Sequence, residues 1–266
     1  MNLLLVHPVE LAGDATCTLR DRRAQHLRTV LGAEVGSQVR AGVIGGGIGR
    51  AELLADDGTA ITLRLTLTEP APAPLPIELV LAIPRPKVAT RVVEAAAAFG
   101  VLRIELTNAW RVDKSYLRSP RLAPEALALA ARLGAEQGAT THIPAITVHH
   151  RLMALLDARW PGAPAVESAL TALVPPLAHE PGPPTAKLIA HPGAPPIETA
   201  LADPAAPLVL AIGPEGGWIE REVDTFVARG FSPVSLGAPI LRVETAVAAA
   251  LGQLLMLGRL GRLTDG

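Results

Sequence analysis

Arg242 and Glu244 are the residues best placed to do chemistry, two apart at the end of Leu236-Gly-Ala-Pro-Ile-Leu-Arg-Val-Glu-Thr245 and just past a glycine- and proline-rich turn. A guanidinium beside a pocket stabilises negative charge that develops in a transition state, and a carboxylate beside it can accept a proton. The same two side chains can instead pair with each other and shape the loop, or Glu244 and Thr245 can cap a helix. A second corner of this kind lies upstream, where Leu208-Val-Leu-Ala-Ile212 runs into Gly213-Pro-Glu-Gly-Gly217. Glycines there let the backbone turn sharply and lie against a ligand, and Glu215 is expected to satisfy amide donors of the loop. Two such corners point to a built pocket, with Leu236, Ile240 and Leu241 as apolar walls.

The flanking segments must hold these corners. Residues 208–212 form a short apolar run of the kind buried on both faces of a sheet. A helix should follow, with Ile219, Val223, Phe226 and Val227 on one face, Glu220 and Glu222 in its first turn, Arg229 in its last and Gly230 as the stop. The plan then repeats: Phe231 to Leu236 reads as a strand, and Val247, Leu251, Leu254 and Leu255 form the apolar stripe of a closing helix. Open α/β sheets hold ligands at the carboxyl ends of their strands.

With both corners in view, the chain resembles the bacterial small-subunit (16S) rRNA (uracil-N3)-methyltransferases, members of the SPOUT class. Gly213-Pro-Glu-Gly-Gly217 and Leu236-Gly-x-x-Ile-Leu-Arg-x-Glu-Thr245 carry the resemblance. Further matches are Gln25-His-Leu-Arg-Thr-Val-Leu31, Arg91-Val-Val-Glu-Ala95, Phe99-Gly-Val101, Glu136-Gln137 and Ile143-Pro144. The chain departs from the family at Gly32, where arginine is usual, and at Ala98-Phe99, where Glu-Leu is usual.

The resemblance implies S-adenosylmethionine bound in a deep trefoil knot, held by His191, Ile212, Gly213, Pro214, Gly217, Leu236, Gly237, Ile240 and Leu241. It implies 16S rRNA or the small ribosomal subunit as partner, and a homodimer. Uracil N3 must lose a weakly acidic proton, which gives Arg242 the developing charge and Glu244 or a water the proton. Arg22, Arg23, His26 and Arg28 are expected on RNA phosphates, and the basic, aromatic segment Trp110, Arg111, Lys114 and Tyr116 either stacks on or holds the flipped uridine or is simply a packed loop. The alternatives are a SPOUT enzyme acting on another RNA position or a ribose 2'-hydroxyl, and a catalytically silent RNA-binding protein of the same fold.

Organisation follows the prolines. Glu69-Pro-Ala-Pro-Ala-Pro-Leu-Pro76 suits neither helix nor central strand and reads as a linker. Before it, residues 1–70 show short alternating runs (37–43, 50–54, 59–67) that predict a small antiparallel barrel, of PUA or OB-like type by resemblance. Gly45-Gly-Gly47 lacks the strand-to-helix context of a dinucleotide fingerprint and reads as a hairpin tip. After it, residues 76–266 read as an α/β domain: strand 77–83, helix 88–99 stopped by Gly100, helix 124–137, then the two corners. The proline cluster at 175–184 reads as an exposed loop.

Composition sets the outer limits. Aromatics are only 3% of 266 residues, so alanine, leucine, valine and proline must fill the core. A single Cys17 excludes an internal disulfide and fits a reducing, cytoplasmic compartment. The seven histidines are scattered, so no metal site is expected. Met1 to Pro8 has no secretory pattern, and Thr245 to Gly258 is too short for a bilayer, so no membrane partner is expected. A net charge of −1 argues against a strongly basic nucleic-acid binder. Local patches argue the other way: six arginines against two acids in 20–50, and eight Arg or Lys against three acids in 85–121.

Overall fold

The computed structural model describes residues 2–161, 185–203 and 205–264, so the proline cluster at 175–184 lies outside the described residues. Among these are six α-helices and eleven strands, the strands forming two sheets. The first sheet takes β1 (Leu4–Val6), β2 (Thr16–Leu19), β3 (Gln38–Val43), β4 (Ile48–Asp56) and β5 (Ile61–Glu69), with α1 (Arg22–Thr29) between β2 and β3. Its order is β1-β3-β4-β5-β2. The antiparallel expectation needs one correction: β1 pairs with β3 in parallel, Leu4 opposite Ala41. Hydrophobic alternation says which residues face inward but not which neighbour a three-residue strand will find. Gly45-Gly-Gly47 does form the β3–β4 turn.

The second sheet follows after residues 70–74, a shorter break than the expected linker 69–76, because Glu69 ends β5 and Leu75 and Pro76 open the next strand, a central one. After β6 (Leu75–Ala82) come α2 (Pro86–Phe99), β7 (Val101–Thr107), α3 (Pro124–Gly138), β8 (Ala145–His149), α4 (Leu152–Arg159), β9 (Ala186–Ala190), β10 (Leu208–Ile212), α5 (Glu220–Val227), β11 (Ser232–Val234) and α6 (Val243–Thr264). The strands run β11-β9-β10-β6-β7-β8, every pairing parallel. This is a mixed α/β fold with a parallel sheet, and all five residues of β10 are buried, as a strand covered on both faces requires. Proline opens α2 and Gly100, in the left-handed region at φ 76°, ends it. Gly134 and Gly138 let α3 press against α2: a Cβ on either would sit 2.0 or 2.1 Å from the carbonyl oxygen of Glu94 or Ala98.

Two stripes read from periodicity are narrower than expected. Phe226 is fully buried on α5, but Val227 is 46% exposed, and on α6 Leu254 is buried while Leu255 is 38% exposed. Phe226 instead joins an aromatic series, Trp218 on Phe226 at 5.1 Å, Phe226 on Phe231 at 4.9 Å and Phe231 on Trp160 at 5.4 Å, all edge-on. Residues 243–261 have the length and apolarity of a membrane span, against the shorter stretch expected, yet Val247, Ala250, Leu251 and Leu254 are buried in the core and α6 packs on α2.

The two sheets are joined by more than the linker. Leu3, Leu5 and Ile48 pack with Ala135 of α3, and the Asn2 and Leu3 amides donate to the Glu136 carbonyl at 3.1 and 3.0 Å. The buried Glu136 carboxylate takes Arg22 at 2.7 Å and Arg132 at 3.4 Å.

Candidate active site

The loops that leave the carboxyl ends of β9, β10 and β11 enclose a cavity of about 350 Å³ together with the start of α6. His191 follows β9. Ile212, Gly213, Pro214 and Gly217 belong to the corner after β10, and Leu236, Gly237, Ile240 and Leu241 to the corner after β11; all nine line this one cavity. The backbone explains the glycines: Gly217 has φ 70° and Gly237 φ 125°, where a side chain is strained, and a Cβ on Gly213 would lie 3.1 Å from the Trp218 amide nitrogen.

Each corner is tied from outside. Glu215, expected to serve its own loop, accepts the Arg85 amide at 3.0 Å and so fixes the glycine loop to the β6–α2 connection. Glu222 bridges two elements: its carboxylate accepts the Ile219 amide at 3.0 Å, capping α5, and the Trp110 amide at 2.8 Å. Gln253 of α6 donates to the Leu236 carbonyl at 3.0 Å, and the Gly237 amide donates to Ser235 Oγ at 3.2 Å. A first-turn acid such as Glu222 is legible as a dipole partner; its hold on a loop 112 residues away has no local signal.

Arg111 donates through Nη1 to the Gly216 carbonyl, and among the described residues it is the one arginine or lysine lining the cavity. Arg242 sits between two lining residues, Leu241 and Val243, is exposed, and is not itself part of the wall. Its carbonyl accepts the Ala246 amide at 2.7 Å. Glu244 lies half-buried in the first turn of α6. Among the described residues no ion pair joins Arg242 to Glu244 or either to another group, so the loop-shaping pair is not formed.

The arginines expected on phosphates are engaged elsewhere. Arg23 must be withdrawn from that set: it is 2% exposed, with Nη2 2.5 Å from Glu10 and 2.7 Å from Asp21, and Nη1 2.8 Å from the Leu5 carbonyl. Its hydrogen bonds to Glu10 hold that carboxyl below its usual value; burial pushes the Asp21 carboxyl up, but the Arg23 bonds outweigh it and the net shift is downward. Arg28 forks onto Asp56 at 2.6 and 2.8 Å, and Arg22 pairs with Glu136 while its side chain stays 36% exposed. His26 is half-buried with Nε2 enclosed and unpartnered. Arg111, Lys114 and Trp110 are exposed and Tyr116 is half-buried. No group of three or more His, Cys, Asp or Glu converges as a metal site among the described residues.

Fold and cavity together define a class: a parallel α/β protein with a small-molecule site built from glycine corners at its strand ends. The chain belongs to the RNA methyltransferase domain family, whose model matches residues 71–255. It is 29% identical over 253 residues to the ribosomal RNA small subunit methyltransferase E of Treponema pallidum, covering 94% of this chain and 89% of that one. The corresponding protein of Borreliella burgdorferi is 24% identical over 250 residues, 94% and 95% of the two chains. Among solved structures, ribosomal RNA small subunit methyltransferase E from Neisseria gonorrhoeae, bound to S-adenosyl methionine, superposes with a TM-score of 0.72 at 22% identity over 97% and 98% of the chains. A Legionella pneumophila protein in complex with bound SAM gives a TM-score of 0.73 at 23% identity over 96% and 97% of the chains.

Proposed function

We propose that this protein transfers a methyl group from S-adenosylmethionine to N3 of a uridine in small-subunit (16S) ribosomal RNA. The observation that carries the reading is the cavity: both glycine corners open onto one space, in a chain whose full-length relatives are named as small-subunit rRNA methyltransferases. The residues present suit the cofactor. Its volume falls within the range of about 300–1,000 Å³ usual for small-molecule sites. Ile212, Leu236, Ile240 and Leu241 give apolar walls, the glycines leave backbone bare, and Trp218, a lining residue 4% exposed, has its indole Nε1 buried without a partner. A buried donor left unmatched by protein is a position for a ligand acceptor.

The cofactor supplies an electrophilic methyl on a sulfonium; the protein's work is alignment and charge. Loss of the N3 proton places negative charge on the uracil carbonyls, which Arg242 stabilises from the cavity rim, and Glu244 or a water takes the proton. Arg111 and Lys114 hold RNA beside the cavity, and Arg22, His26 and Arg28 hold it along α1.

The corners after β10 and β11 form a SPOUT trefoil knot in this reading. Residues 1–70 serve as a PUA or OB-like RNA-docking domain and residues 76–266 as the methyltransferase domain. A homodimer covers the exposed apolar side chains Leu255, Met256 and Leu260 of α6, and the enzyme works in the cytoplasm. The test is mass spectrometry of nucleosides from 16S rRNA, free or in small subunits, incubated with the protein and S-adenosylmethionine. 3-Methyluridine is the expected product; a methylated ribose or another base would overturn the N3 assignment, and no incorporation would overturn the activity.

A further inference from the structure

Trp110 stands apart from the other two tryptophans of the chain: it is 79% exposed, whereas Trp160 and Trp218 are 7% and 4% exposed. An indole left in water forfeits the gain that burial would give it, so its position calls for a partner. The backbone beneath it is fixed on several sides. The Trp110 amide donates to Glu222 at 2.8 Å, the Asn108 amide to the His149 carbonyl at 3.1 Å, and the Val112 amide to the Ala109 carbonyl at 3.1 Å. The next residue, Arg111, holds the Gly216 carbonyl and lines the cavity. The indole is therefore presented on a rigid loop one residue from the cavity wall.

The charges around this loop select the partner. The corner after β6 brings the exposed Arg85 and Lys87 to the same glycine loop, through the Arg85 amide on Glu215, and the loop after β7 brings Arg111 and Lys114. None of these four cations is in an ion pair among the described residues. A flat aromatic face set among free cations matches a nucleobase with its flanking phosphates, since bases stack on aromatic faces and phosphates take the charge. An apolar protein surface would strand those cations without partners.

We infer that Trp110 is a stacking platform for a nucleobase next to the target nucleotide, a positioning residue that sets how the RNA strand enters the cavity. The inference rests on the RNA-methyltransferase reading above and adds a contact that the reading does not contain. Stacking of this kind is sequence-tolerant, so Trp110 contributes affinity and register rather than base identity.

The experiment uses the full chain saturated with S-adenosylhomocysteine, a single-stranded oligouridylate as probe, and 16S rRNA as substrate. Because the other two tryptophans are buried, fluorescence open to acrylamide reports Trp110. Adding the oligonucleotide should quench that emission and shield it from acrylamide, and Trp110→Phe should lack both responses and show a KM for rRNA between those of wild type and Trp110→Ala, because phenylalanine stacks with a smaller face. Trp110→Ala should raise KM for rRNA roughly tenfold, with kcat and cofactor affinity held. Oligonucleotide quenching that persists in Trp110→Phe, or a wild-type KM in Trp110→Ala, would overturn the inference. So would an indole already shielded from acrylamide in the RNA-free protein at working concentration, which would assign it to a contact between copies. If the wild-type protein binds and quenches with the oligonucleotide but methylates no rRNA, the activity falls and the stacking contact stands.

Discussion

In α1, Arg23 gives its guanidinium to Glu10, Asp21 and the Leu5 carbonyl, and Arg28 gives its own to Asp56. At the cavity rim, among the described residues, Arg242 has no such carboxylate, and Arg111 is held by the Gly216 carbonyl, which does not cancel its charge. Both sets look alike in the sequence as arginines in basic stretches. What separates them is whether the fold brings an acid to them. An arginine already forked onto a carboxylate must break that pair before it can take a phosphate, whereas an unpaired one meets the phosphate at no such cost. Of the two sets, the rim arginines are thus free for phosphate as they stand, whereas Arg28 must first leave Asp56.

The comparison is broken most decisively at Arg242. Arg242→Ala should lower the single-turnover methylation rate by on the order of a hundredfold or more, the usual loss when one electrostatic donor to a transition state is removed. Circular dichroism and the unfolding midpoint should hardly move, since the side chain is exposed and unpaired. Near wild-type turnover would return this arginine to a structural role. Glu244→Gln should be comparably severe and partly rescued by rising pH, because solvent can then remove the imide proton; a mild loss flat in pH would leave water as the acceptor.

A second test sets the two groups against each other directly. Arg111→Ala should weaken RNA binding and reduce the slope of log affinity against log salt by about one, with little change in stability. Arg23→Ala should do the reverse. It removes a buried guanidinium from two carboxylates and a carbonyl, which should destabilise the fold by about 2 kcal/mol and leave the salt slope intact. Denaturant unfolding and salt titrations on the two variants give a crossed pattern; a lowered slope in folded Arg23→Ala would show that the buried network opens onto RNA.

The same network gives the protein an acid limit. Glu10 and Asp21 titrate in the folded protein below their usual 4.5 and 3.8, chiefly because of Arg23. A carboxylate lowered on folding adds stability above its unfolded value, and that stability drains away as pH falls through the lowered value. The midpoint should therefore drop below about pH 4.5, and Arg23→Ala should flatten that limb. A limb equally steep in the variant would assign the acid sensitivity to other carboxylates. Cys17, pushed up to about 11 by burial, should meanwhile resist alkylation in the native protein at neutral pH.

How much of this the sequence discloses depends on the range of the interaction involved. Residues 208–212, the Gly100 end of α2, and the hairpin at Gly45-Gly-Gly47 are marked by neighbours within a few positions, and they fold as those neighbours dictate; α2 itself begins at Pro86, two residues before the expected start. The nine residues that the resemblance puts at the cofactor also gather in one cavity; eight of them belong to the glycine corners, which are local devices, and His191 follows β9. What fails is long-range: Glu10 reaching Arg23, Asp56 reaching Arg28, β1 finding β3 in parallel, and Phe226 packing on Trp218 while Val227 stays exposed. A charge pattern records the arginines of α1 but not the acids that other strands deliver to them.

The smallest effect is the sharpest probe of that boundary. Asp56 holds Arg28 in a two-point fork and also accepts the Gly58 amide at 2.9 Å, so Asp56→Asn keeps the turn while releasing the guanidinium. An exposed pair of this kind adds little to stability, and the unfolding midpoint should barely shift. If α1 faces RNA, freeing Arg28 should give a small gain in RNA affinity and steepen the salt slope by up to about one, because a cation once neutralised in the protein now displaces counterions from phosphate. Cofactor affinity, measured by calorimetry, should stay fixed. An unchanged slope in Asp56→Asn would mean that Arg28 points at solvent whether or not it is paired, and the docking surface would then contract to the cavity rim alone.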